Sequence, residues 1–146
     1  MALSKRERQA VWNKSGGYCW YCGIELPKKG WHADHIEPIQ RLTEAVPREE
    51  RKNKYVFEVR QTGECHKPHL DHINNMVPAC APCNLFKGCF SVEQFRNEIA
   101  QQIDRARRSS VNFRTGERFG LIETNDNPVV FWFEKNALLD RGECVS

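Results

Sequence analysis

The chain has 146 residues and a mass of 17.0 kDa, with 40% apolar residues, 28% charged residues and a mean hydropathy of −0.67. That is one domain's length with a lean core. No apolar run reaches the roughly 18 residues of a membrane span, and the net charge of +3 permits a nucleic-acid partner without requiring one. The opening Met1-Ala2-Leu3-Ser4-Lys5-Arg6 lacks the apolar stretch of a secretion signal, so a reducing, cytoplasmic setting in a bacterial or phage-infected cell is expected. The seven cysteines, odd in number, then read as thiolate ligands rather than disulfides.

In chain order, residues 3–15 read as a helix, because Ser4 and Glu7 form a capping box ahead of an apolar face, and Gly16-Gly17 stops it. A two-thiol turn follows at Cys19-Trp20-Tyr21-Cys22-Gly23, then a short strand over 31–36. Residues 40–54 are charged and read as a helix or loop, 55–60 alternate as a strand does, and 61–69 are turn-rich. A second short strand is expected at 76–79, and a second two-thiol turn at Cys80-Ala81-Pro82-Cys83. A helix begins at Asn84, another runs from the Ser91–Gln94 capping box to about Arg108, and 118–123 with 129–134 read as a C-terminal hairpin.

The thiol turns Cys19-x-x-Cys22 and Cys80-x-x-Cys83 share one spacing. Such a turn points both sulfurs to one side, so two of them complete a closed tetrahedral zinc site. Zinc in such sites binds with about 10–16 kcal/mol, against a typical domain stability of about 5–15 kcal/mol. Cys65, Cys89 and Cys144 have no matching partner, and Cys65-His66 is at most half of another site.

Around these turns lie Asp34 and His35 on the first short strand, Asn75 five residues before Cys80, Asn84 directly after Cys83, and Lys87 three residues on. Asp34 and Asn84 can offer oxygens to a hard cation such as Mg²⁺. Taken together, Cys19, Cys22, Asp34-His35-Ile36-x-Pro38 and Asn75-x4-Cys80-x2-Cys83-Asn84-x2-Lys87 resemble the HNH endonuclease family, over about residues 4–90. The resemblance implies an α+β fold with a ββα-metal (His-Me finger) core stapled by the four-cysteine zinc site, and with flanking helices. The whole chain is then a single nuclease domain, with an insertion at about 40–70 and an elaboration at about 91–140. It implies a metal-dependent DNA endonuclease that leaves 5′-phosphate and 3′-hydroxyl ends. In that scheme His35 is the general base, Asp34 and Asn84 hold Mg²⁺ or Mn²⁺, Asn75 braces the loop behind His35, and the cysteines are structural.

The insertion carries a second triplet, Asp71-His72-Ile73, which makes His72 the other candidate base; its closeness to Asn75 and the lack of a following proline favour His35. Lys87, Arg51, Lys52 and Lys54 are candidate contacts to double-stranded DNA, and a dimer would suit two-strand cutting. The competing reading is a non-catalytic, zinc-stapled nucleic-acid-binding module, which leaves Asp34, His35, Asn75 and Asn84 without a joint purpose.

Overall fold

A computed structural model describes residues 2–143, with side chains through Ala137; Cys144 lies outside them. Ser4 opens helix α1 (Lys5–Asn13) with the expected capping box, its Oγ accepting from the Glu7 N–H while Glu7 Oε2 accepts from the Ser4 N–H. Val11 is the buried residue of α1, and just beyond the helix Lys14 Nζ donates to the carbonyls of Ile73 and Met76 at 2.6 Å each.

Strand β1 (His32–His35) pairs antiparallel with β4 (Met76–Ala79), His32 opposite Ala79 and His35 opposite Met76. All four residues of β4 are buried, and helix α2 (Ala81–Lys87) leaves directly from its end. The loop joining β1 to β4 carries an arm: β2 (Arg41–Ala45) and β3 (Val59–Cys65) form a separate antiparallel pair with a register shift between Arg41 and Thr43. Four helices complete the chain: α3 (Val92–Ala100), α4 (Gln102–Ser109), α5 (Val111–Arg118) and α6 (Trp132–Glu143). The architecture is therefore mixed α+β with two small antiparallel sheets. No helix among the described residues is long and apolar enough to cross a membrane.

The core gathers where the thiol turns, β4 and α3 meet. Tyr21, Phe95 and Phe131 are all buried; Phe95 stacks on Phe131 at 5.3 Å, and Tyr21 meets both edge-on at 5.4 and 5.6 Å. Such aromatic pairs add about 0.5–1.5 kcal/mol each beyond the area they bury.

Four expectations are corrected. No C-terminal β-hairpin forms: 118–123 is the end of α5 and a loop, and 129–134 leads into α6. The backbone donors a hairpin would have used are taken elsewhere, because the N–H groups of Trp132 and Phe133 donate to the carbonyls of Tyr21 and Trp20 at 2.8 and 3.1 Å. The strand read at 55–60 begins only at Val59, and it runs on through the segment read as turns. The charged stretch 40–54 holds β2 and a single 3₁₀ turn at Arg48–Glu50 instead of an α-helix or an unstructured loop. Helix 91–108 is broken at Gln101 into α3 and α4.

Candidate active site

Cys19 and Cys22 sit on a tight turn closed by a bridge between Tyr18 and Glu25, with the Cys19 N–H on the Ile24 carbonyl at 2.8 Å and the Gly23 N–H on the Cys19 carbonyl at 3.0 Å. Gly23 takes φ +78°, and a Cβ there would lie 2.6 Å from the Trp132 ring, so only glycine fits the turn. Cys80 is the N-cap of α2, its sulfur accepting from the Cys83 N–H at 3.5 Å, and Pro82 sits in the first turn, where no donor is needed. The Trp20 N–H donates to the Pro78 carbonyl at 2.8 Å, which ties the first turn to β4 and so to the second.

The result is that the sulfurs of Cys19, Cys22, Cys80 and Cys83 all lie within 4.8 Å of one another. A tetrahedral zinc with bonds of about 2.3 Å spaces its sulfurs about 3.8 Å apart, and Cys22 Sγ to Cys80 Sγ is 3.8 Å. The four cysteines can hold a metal ion such as zinc. The four thiols differ in acidity: the Cys19 thiolate is favoured, down to about 4, by the Cys83 thiol and by the N–H groups of Cys80, Cys22 and Tyr21. The same thiolate and burial push Cys83 up, and burial pushes Cys80 up to about 11.

The adjacent residues Asp34 and His35 point to opposite sides of β1, as alternation on a strand requires. Asp34 turns inward and is only 6% exposed. Its Oδ2 accepts from the Tyr21 hydroxyl at 2.6 Å and lies 3.2 Å from Lys87 Nζ, while Lys87 Nζ also donates to the His35 carbonyl at 2.8 Å. Burial raises the Asp34 carboxyl above its usual range against the pull of the Lys87 ammonium, and burial with the Asp34 charge raises the Tyr21 hydroxyl. Lys87 is fully buried, which corrects its reading as a DNA contact: its charge serves Asp34, and its reach ends at the His35 backbone.

His35 faces the other way. Its Nε2 lies 2.9 Å from Asp71 Oδ1, with both side chains 18% exposed. The hydrogen bond from His35 holds the Asp71 carboxyl below its usual range. An ionised Asp71 accepts a proton borne on Nε2. Asn75 does brace this corner, because its Nδ2 donates to the carbonyls of Glu37 and Leu70 at 2.8 and 3.0 Å and its Oδ1 accepts from the Glu37 N–H at 3.1 Å. One amide thus ties the exit of β1 to the segment that carries Asp71. His72, the alternative base, is exposed and caps the 3₁₀ turn Ile73–Asn75 through its Nδ1.

Asn84 lies inside the first turn of α2, not at its cap, and is half-buried; its side chain makes no hydrogen bond among the described residues. Its amide can serve a cation. Asp34, closed off by Lys87 and Tyr21, does not offer a hydrated Mg²⁺ the open carboxylate such an ion takes. The expected magnesium pair is therefore not assembled as a cradle in this arrangement.

Asp71 and Arg41 are the site residues that sequence reasoning missed. An open pocket beside His35 is lined by Arg8, His32, Ala33 and Arg41, a cationic rim of the kind a phosphate oxygen favours. Arg41 opens β2 six residues after His35, and that short separation was the available signal. Arg51, Lys52 and Lys54 fall together at the tip of the β2–β3 arm, away from this pocket's lining. Comparison with protein-family models, with curated proteins and with solved structures finds no match for this chain.

Proposed function

We propose that this protein is a DNA endonuclease of the HNH type, with His35 as general base and the four cysteines holding a structural zinc in a ββα-metal-like unit of β1, β4 and α2. What carries this reading is the His35–Asp71 contact beside the cationic pocket: an imidazole oriented by a carboxylate, in a pocket that Arg8 and Arg41 also line. A neutral imidazole so held can take a proton from water near pH 7, worth about 10²–10⁴ in rate. Arg8 and Arg41 would meet the phosphate oxygens, and Asn75 would keep the base from turning away. The divalent ion that such enzymes use would supply further charge at phosphorus, with Asn84 as its ready ligand.

The test is a supercoiled-plasmid assay on the zinc-loaded protein in Mg²⁺, in Mn²⁺ and with the divalent ion chelated. The reading predicts cutting that leaves 5′-phosphate and 3′-hydroxyl ends and is lost in His35→Ala but kept in His72→Ala. Loss in His72→Ala with retention in His35→Ala would reverse the assignment of the base.

A second reading, a non-catalytic zinc-stapled module that binds nucleic acid, is favoured by one observation: Asp34 is closed off by Lys87 and Tyr21. It predicts DNA binding that falls with salt, and no cutting under any of these conditions.

A further inference from the structure

The β2–β3 arm ends in a tip that the catalytic reading does not use. Its strands pack chiefly on one another, and every residue of β3 except Cys65 is exposed. At the tip Tyr55 is 90% exposed, Val56 56% and Phe57 70%, three consecutive large apolar residues in water. Single exposed apolar residues need no explanation, but a cluster of them marks a contact surface.

Its surroundings indicate the partner. The stretch Arg51-Lys52-Asn53-Lys54-Tyr55-Val56-Phe57 holds three cations and no acid. Of the nearby acids, Glu44 and Glu50 are taken by Arg60 at 2.6 and 2.7 Å, Glu58 Oε2 accepts from the Lys52 N–H at 3.0 Å, and Glu49 is exposed beside them. Arg48 lies over the Tyr55 ring at 5.8 Å and Arg51 over the Phe57 ring at 5.6 Å, so each ring carries a guanidinium on one face. Lysine is depleted from protein–protein interfaces, whereas cations flanking exposed rings suit a polyanion that has aromatic faces of its own.

We propose that this tip docks on duplex DNA, with Tyr55 and Phe57 stacking against base steps from a groove and Lys52 and Lys54 resting on the flanking phosphates. The inference rests on the nucleic-acid partner of the reading above, but not on cleavage. Arm residues that wedge between base steps partly unstack them, so the contact leaves an optical trace in the DNA.

The experiment uses the full-length, zinc-loaded His35→Ala protein and a set of short duplexes carrying 2-aminopurine at successive positions, with affinity measured across salt. The expected result is a rise in 2-aminopurine emission on binding, and a loss of about tenfold or more in affinity for Tyr55→Ala/Phe57→Ala, at an unchanged salt slope. Tyr55→Trp/Phe57→Trp keeps binding, whereas Tyr55→Ser/Phe57→Ser loses it as the alanine pair does, because neither serine nor alanine can wedge between base steps. Lys52→Ala/Lys54→Ala lowers the salt slope by about 1–2 instead. Unchanged affinity in Tyr55→Ala/Phe57→Ala overturns the proposal. So does a change from dimer to monomer in light scattering, which would make the tip a contact between two copies of this chain. A wild-type protein that never cuts, yet shows the ring-dependent binding, refutes the nuclease reading and leaves this one standing.

Discussion

The β1–β4 pair and the β2–β3 pair are both short antiparallel ladders in one chain, and they are held by opposite means. β4 is buried along its whole length, between a cysteine cluster at one end and the Lys14 ammonium at the other. β2 and β3 have almost no buried residue, and their fixed points are ladder hydrogen bonds and the Arg60 ion pairs. An isolated two-stranded ribbon is marginal in water. Position is thus tightly determined where His35 sits and loosely determined at the arm, as the proposed base on one side and the proposed docking tip on the other require.

The hardest way to break this contrast is to remove the metal. Chelation or Cys80→Ser should unfold the β1–β4 unit, since the binding energy lost, about 10–16 kcal/mol, matches or exceeds the stability of a typical domain. Near-ultraviolet circular dichroism and a measured stoichiometry of one zinc per chain would check this, and a folded, metal-free protein would refute it.

Next comes Lys87→Met, which strands the buried Asp34 carboxylate and should cost about 3–5 kcal/mol in denaturant unfolding. Asp34→Asn in the Lys87→Met background should recover much of that loss.

A smaller effect sharpens the other face of β1. His35 holds Asp71 ionised to lower pH in the folded protein than in the unfolded chain. Its contribution to stability is complete above the ordinary carboxylate range, near about pH 4, and is lost as pH falls through the lowered folded value. Asp71→Asn should flatten that acid limb in pH-dependent melts; under the proposed nuclease function it should also reduce cutting by a part of the about 10²–10⁴-fold expected to be lost in His35→Ala.

Smallest of all, replacing the exposed tip 52–57 with a tight turn should leave the melting temperature within a few degrees, because the arm's strands pack chiefly on one another. A large drop would mean that the arm supports the body after all.

Local chemistry made much of the body legible. Paired Cys-x-x-Cys spacing, two capping boxes and short apolar runs are read within a few residues, and they place α1, β1, β4, the cluster and the start of α3. What escaped depends on partners far along the chain. Lys87 reads from the sequence as a candidate DNA contact, and only the fold brings it under Asp34, 53 residues earlier. Phe131-Trp132-Phe133 resembled a strand, and its true partners are the backbone and rings of a turn more than 100 residues away. Asp71 was read as a decoy triplet because nothing local shows that Asn75 draws its segment against His35.

Trp132 lies directly over Gly23, with Tyr18 stacked on its indole at 6.1 Å and Trp20 tilted against it at 5.9 Å. Two fluorophores therefore rest on the very loop whose sulfurs can hold a metal ion. Loading and stripping of that ion should be readable without any label, as a shift in ultraviolet-excited emission, and the same signal would report the C-terminal helix coming loose.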